Sequence, residues 1–276
     1  MAAGAAVALA NHAHVFPPAM NADGTVDQLL RHLDACNIAR AVCFAPFPFQ
    51  SKDPSFDQNE WLAREIKARD RLYAFGTLDF ARADMRDQVR RIVDLGFKGI
   101  KIHPPGQKLE ILSPRAFEAY AAAQEAKLFI TFHTGIHHHR LRDARVVDWD
   151  EIACHFPELH FSMEHVGGWS FFNEAVAVIA NNTPPPWEPG HCNIFAGLTS
   201  IFSLKMLPFW YMPRERLVEL IQQTAVRQLI FGLDFPYNDV EATKRGIETI
   251  RSLELSEADT AAILGGNLKR ELRIET

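Results

Sequence analysis

The chain is poor in cysteine. Its four thiols, Cys36, Cys43, Cys154 and Cys192, are widely spaced and form no CxxC pair. That excludes a disulfide framework or a zinc-thiolate module and leaves reduced, mostly buried thiols. Apolar runs long enough to span a bilayer are missing. The small, apolar stretch Met1–Ala10 lacks the basic start of a secretory signal, so a soluble cytoplasmic protein is expected. A surplus of one charge is missing too: 29 Lys and Arg against 34 Asp and Glu give a net charge of −5. With those charges scattered, neither nucleic acid nor an anionic membrane is an expected partner. Neither GxGxxG nor GxxxxGK[ST] occurs, so no nucleotide fingerprint is present.

What the chain has is the ordinary globular mixture, 47% hydrophobic and 23% charged, which predicts a folded core. Short β-branched or aromatic runs alternate with stretches whose apolar residues recur three and four apart. The expected strands are Val7–His14, Ala39–Ala45, Leu72–Leu78, Gly99–His103, Leu128–His133, His160–His165, Asn193–Thr199 and Gln228–Asp234. The expected helices are Thr25–Ala35, Asn59–Arg69, Met85–Leu95, Pro114–Ala126, Asp148–His155, Phe172–Asn181, Pro213–Gln223 and Val240–Leu253. Strand ends recur roughly thirty residues apart, one βα unit per interval, which predicts a closed (β/α)8 TIM barrel over a single domain, 1–276. An open doubly wound sheet is the runner-up. The Pro-rich segment Asn182–His191 is expected as an excursion before the seventh strand.

Barrel enzymes draw their catalytic groups from the C-terminal ends of strands. Here those ends are rich in imidazole: Asn11-His12-Ala13-His14, Lys101-Ile102-His103, Phe132-His133-Thr134, Glu164-His165-Val166 and Leu233-Asp234-Phe235. His12 and His14 are two apart, so strand alternation is expected to point both into the barrel mouth. With His133 and Asp234 they bring three neutral nitrogens and one carboxylate toward one divalent cation, a mix that suits zinc or another first-row metal. Any one of these histidines read alone is more often a buried residue bonded to backbone. The set outweighs that reading, because an apolar core gains nothing from imidazoles gathered at one end, each unpaired polar group costing about 1–3 kcal/mol.

HxH near the N-terminus, GFKGIKIHP, FHTG, EHVGG, FGLDFPY and the closing ILGGNLKREL appear in this order. Together they make the chain resemble the amidohydrolase-related group of the amidohydrolase superfamily, which includes aminocarboxymuconate semialdehyde decarboxylase and related aromatic-acid decarboxylases. The resemblance implies a barrel with one divalent metal, usually zinc, held by His12, His14, His133 and Asp234. It also implies that His165 transfers protons beside an activated water, with Asp234 sharing that work. Asn11 departs from the acid more common before HxH, and His137-His138-His139 is an unusual run, expected as a solvated loop or as a contact to substrate or a second metal.

Lys101 is expected to face inward with His103. There it pairs with an acid, contacts an anionic substrate, or, as in other branches of the superfamily, becomes carboxylated and bridges two metals. Arg140 and Arg142 are either carboxylate grips or exposed charges. Trp169 heads a group of loop aromatics with Phe16, Phe47, Phe49, Phe171, Phe172, Trp210, Tyr211 and Tyr237. These are expected to line a pocket for a planar or apolar substrate. The run 201–212 serves instead as a lid or as the contact of a homodimer or higher homo-oligomer. The expected partner is a small molecule. The expected function is metal-dependent hydrolysis of a small, carboxylated, partly apolar substrate through a metal-activated water, with non-oxidative decarboxylation of an aromatic or unsaturated acid as the alternative.

Overall fold

The computed structural model describes residues 7–184, 187, 192–205 and 207–274. The segment Met1–Ala6, prolines 185, 186 and 189 of the expected excursion, and Met206 of the expected contact run lie outside the described residues. The eight strands are β1 (Ala10–His14), β2 (Ala41–Phe44), β3 (Leu72–Thr77), β4 (Gly99–Ile102), β5 (Phe129–His133), β6 (Phe161–Glu164), β7 (Ile194–Leu198) and β8 (Leu229–Phe235). All pair in parallel in sequence order, and β1 closes on β8. The (β/α)8 barrel expected from spacing is the fold found, with the open sheet excluded by that closure.

Among the described residues, eight helices of eight residues or more cover the barrel: α1 (Val26–Ala35), α2 (Gln58–Ile66), α3 (Met85–Asp94), α4 (Pro114–Glu125), α5 (Asp148–His155), α6 (Gly168–Asn181), α7 (Arg214–Thr224) and α8 (Val240–Arg251). Their starts are written locally. Thr25, Asp57, Ser113 and Asp239 each accept a backbone N–H from the first turn that follows, satisfying a donor the helix leaves open. Each helix then buries one apolar stripe, as α1 buries Val26, Leu29 and Leu33. Among the described residues no helix is long and apolar enough to cross a membrane. Cys36, Cys43 and Cys192 are buried, Cys154 is exposed, and all four are free.

The interior of the barrel is layered. Leu9, Val42, Phe44, Phe75, Phe129, Phe195 and Ile230 pack into an apolar floor, closed from below by Leu268 and Leu272. Leu268 belongs to the C-terminal helical turn Asn267–Glu271 and Leu272 caps it, a turn reached by the ILGG part of the closing motif. Gly265 has φ 133, and a Cβ there would overlap the Leu9 backbone, so only glycine lets this segment seat under β1. Above the floor the inward positions turn polar, with Asn11, Lys101, Thr131, Ser162 and Glu164 all at or near zero exposure. Polar groups in that setting need partners, and finding them locates the site.

Candidate metal centre

Two residues apart on a regular strand share a face, but β1 is not regular. Its pairing slips between Ala10 and Ala13 against β2, and between Asn11 and Ala13 against β8. Leu9 faces the floor while Ala10 and Ala13 pack under the helices, so plain alternation would place Asn11 inside and turn His12 outward. A bulge at His12, with φ 68, turns it back, and Asn11, His12 and His14 all reach the interior. His165 (φ 63) and Asp234 (φ 57) are also non-glycine residues in the left-handed region. Such backbone is costly and collects at functional sites.

His12, His14 and Asp234 each offer one atom of a set lying within 4.8 Å of one another, all three residues buried. His12 Nε2 is 3.4 Å and His14 Nε2 3.9 Å from Asp234 Oδ1. Asp234 Oδ2 accepts the Ser200 hydroxyl, which in turn accepts from Asn238 Nδ2 at 3.0 Å. His133 stands outside this trio. Its Nδ1 is 3.2 Å from His165 Nε2, and its Nε2 is buried with no hydrogen-bond partner. His165 Nδ1 lies 2.7 Å from the Thr199 carbonyl, an acceptor only, so Nδ1 carries the proton. His165 Nε2 is then a lone pair, His133 Nδ1 must donate to it, and His133 Nε2 is left as an unused buried acceptor. Two or three imidazole nitrogens and a carboxylate oxygen are a donor set for a divalent ion, and the orphaned nitrogen is what such a set looks like before one binds.

The electrostatics agree. Burial holds His12, His14, His103 and His133 well below the usual imidazole range, with the Lys101 ammonium adding to it. Burial takes His165 down to about 3. All five rings are neutral near pH 7, the form that binds metal. Burial raises Asp234 to about 6, opposed by the Ser200 hydrogen bond and by Lys101. Lys101, fully buried, falls to about 8 for the same reason, and its Nζ sits 3.4 Å from His12 Nε2.

The other expected residues divide. His103 is in the wall, its ring 4.0 Å from that of His133 and stacked on it, while its Nδ1 accepts the Gly106 N–H at 3.0 Å. Of the histidine run, His137 joins this wall with ring centroids 4.6 Å from His103 and 4.9 Å from His133, whereas His138 turns to Phe209. Arg140 is on the outside, its side chain 75% exposed and paired with Asp143 at 3.0 Å. Arg142 is exposed as well and lines an outer cleft with Lys108 and Glu110. Trp169 is 57% exposed on the rim. The tryptophan that meets the imidazoles is Trp210, stacked on His165 at 4.0 Å and 12° and anchored by Nε1 to the Ile136 carbonyl at 2.8 Å. Phe47 and Tyr237 flank His14.

Glu164, Thr199 and Ser200 were missed as site residues. Glu164 accepts from Asn11, His12, Ser162 and Thr199. Its signal was present in the sequence: an acid at the end of a barrel strand beside a histidine has no place in an apolar core.

A profile for the family described as amidohydrolase matches residues 11–274. No curated protein matches the chain. Several solved barrels share its fold. A 2,6-dihydroxybenzoate decarboxylase from Rhizobium is 16% identical at a TM-score of 0.68, covering 97% of this chain and 99% of that one. A protein from Pseudomonas putida provisionally named 2-pyrone-4,6-dicarboxylic acid hydrolase is 17% identical at 0.69, covering 97% and 98%. A dihydroxybenzoic acid decarboxylase from a Polaromonas species, with bound manganese and the inhibitor 2-nitroresorcinol, is 15% identical at 0.67, covering 96% of each chain.

Proposed function

Because the chain belongs to the amidohydrolase family and is an enzyme of that superfamily, we propose that it is a metal-dependent hydrolase of a small, carboxylated, partly apolar substrate, with 1–276 as one catalytic domain. The observation that carries this reading is the meeting of His12 Nε2, His14 Nε2 and Asp234 Oδ1 around one point. His133, with its unused Nε2, is the proposed fourth holder. Zinc is the proposed ion because the donor set suits it. Manganese, present in one similar structure, accepts the same donors. A divalent ion held there supplies Lewis acidity toward a carbonyl oxygen and makes water a stronger acid.

The chain's own groups handle the protons. With Oδ2 engaged by Ser200, Asp234 Oδ1 takes the proton of a water adding to the substrate carbonyl and returns it to the departing oxygen or nitrogen. His165 is not needed to hold the ion. Its Nε2 holds a proton in transit, and the Thr199 carbonyl stabilises the resulting imidazolium through Nδ1–H. Lys101 faces a substrate carboxylate, and His103, with Nδ1 engaged by Gly106, offers Nε2–H as a further donor. Phe47, Trp210 and Tyr237 take the apolar part and exclude water, while Trp169 stands at the rim and Arg140 and Arg142 stay outside the substrate's reach. A homo-oligomer joined through the exposed Leu204 and its neighbours is proposed alongside and is read by light scattering.

Decarboxylation of an aromatic acid is the second reading, favoured by the buried Lys101 ammonium beside aromatic walls. Hydrolysis is preferred because Asp234 turns a carboxylate oxygen inward while Ser200 engages the other, which suits removing protons from water better than delivering one to carbon. Protein purified without chelator should carry about one zinc per chain by elemental analysis. His12→Ala/His14→Ala should carry none, and full occupancy there removes the site. Esters, lactones and aromatic acids are then screened for acid production and for CO2, and CO2 release without hydrolysis decides for the second reading.

A further inference from the structure

The carboxylate of Glu164 is fully buried and engages four neighbours. Oε1 faces Asn11 Nδ2 at 3.0 Å and Ser162 Oγ at 2.6 Å. Oε2 faces the Thr199 hydroxyl and His12 Nδ1, the latter at 2.9 Å. An ionised carboxylate has about four lone-pair sites and no proton to offer. The amide and both hydroxyls donate to it, and the fourth partner must donate as well, because an imidazole lone pair at that distance would face a carboxylate oxygen with nothing between them. We infer that Glu164 is a positioning residue, fixing His12 as the Nδ1–H tautomer so that Nε2 presents a lone pair toward Asp234. That function rests on the metal reading above, in which Nε2 is a ligand.

Three features outside the pair are shaped to it. Gly197, the β7 residue in register with Glu164, leaves the space that a Cβ would take from the carboxylate. Gly232 on β8 does the same for the Thr199 hydroxyl. Asn11 supplies a neutral donor, where an aspartate would set a second carboxylate 3.0 Å from the first. The consequence for His12 is an acceptor, Nε2, held 3.4 Å from another acceptor, Asp234 Oδ1. Two acceptors at that separation are stabilised by a cation. Without a metal, Lys101 Nζ is the only cationic atom that bonds His12 Nε2 among the described residues. Carboxylates that orient a metal-ligating histidine in this way are worth about 10–100-fold in metal affinity.

The test reads tautomer and affinity separately. In 15N-labelled, metal-free protein, the His12 ring, assigned by its loss in His12→Gln, should show the Nδ1–H pattern in long-range 1H–15N spectra. Glu164→Gln should mix or reverse that pattern and weaken zinc binding about 10–100-fold in chelator competition, while Glu164→Asp recovers part of the loss. A wild-type His12 protonated on Nε2, or a folded Glu164→Gln that binds zinc as tightly as wild type, overturns the inference. Should Glu164→Gln not fold, the wild-type spectrum decides alone. Wild-type protein with the Nδ1–H pattern that takes up no zinc would sink the metal reading and leave the Glu164–His12 assignment standing.

Discussion

Replacing Gly197 by alanine perturbs the site without removing any polar atom. The added Cβ falls on the Glu164 carboxylate. That carboxylate is the tip of a flexible side chain, and in open surroundings it would swing away at small cost. Here its four donors resist, and Asn11, Ser162 and Thr199 are themselves fully buried. A displacement that strands two donors, at about 1–3 kcal/mol each, costs about 2–6 kcal/mol. In a protein of this size each kcal/mol moves Tm by about 2–4 °C, so a fall of about 4–24 °C is expected. Circular dichroism melts of chelator-treated protein measure it. The same substitution in a Glu164→Ala background should cost no more than about 1 kcal/mol, because the obstacle is gone, giving a coupling of at least about 1 kcal/mol in the double-mutant cycle. Additive effects, or a Tm within about 2 °C of wild type, would refute the claim that the carboxylate is pinned.

His165→Asn should retain metal by elemental analysis and lose about 10²–10⁴-fold in kcat, with equal turnover removing its proton-transfer role. Acidification should destabilise the metal-free protein. The folded pKa of His165, about 3, lies below the unfolded value, so its stabilisation is complete above about pH 6.5 and is lost as pH falls toward 3. By pH 5 His165 alone accounts for about 2 kcal/mol, and the other lowered histidines act in the same direction. Tm measured from pH 7.5 to 5 in chelator should fall steeply in wild type and less in His165→Asn, and a flat profile contradicts the buried neutral rings. Trp210→Ala should lower kcat/KM about 2–10-fold through the lost stack, with Trp210→Phe intermediate. Arg140→Ala, removing only an exposed pair with Asp143, should change KM less than about threefold.

The barrel was legible because its signals are local and repeat. Each strand needs a short β-rich run and each helix a cap and an apolar stripe, and eight repeats average out errors at individual ends. Val7–Leu9 shows the size of such errors: it reads as strand, yet Val7 makes only an isolated bridge to Ile38. The gathering of His12, His14 and Asp234 was legible too, but the reasoning that placed the two histidines on one face assumed an alternation that β1 breaks. A bulge is set by pairing with β2 and β8, more than 25 residues away in sequence, and leaves no mark in the pattern His-Ala-His itself. Arg140 and Trp169 were drawn in by residue type and nearness to strand ends. Loop side chains take direction from tertiary contacts, which put Trp210 on His165 and left Trp169 on the rim.

The polar middle of the barrel carries the stronger physical argument for a cation. Counting protons outward from the carbonyl of Thr199, which can only accept, makes His165 Nδ1 a donor, His165 Nε2 an acceptor, His133 Nδ1 a donor and His133 Nε2 an unused acceptor. Counting outward from Glu164 makes His12 Nδ1 a donor and His12 Nε2 an acceptor facing Asp234. The first chain ends on a bare nitrogen in the barrel interior, and the second on a nitrogen that faces a carboxylate oxygen. Lys101 bonds only the second of these nitrogens among the described residues. A buried lone pair without a donor, as at His133 Nε2, costs about 1–3 kcal/mol and is hard to explain as core packing. A divalent ion held there would take both lone pairs. If His133 Nε2 is one of its ligands, His133→Gln should weaken zinc binding while His103→Gln, altering the ring stacked on it, should not. Equal losses in the two variants would mean that the first chain ends on something other than the metal.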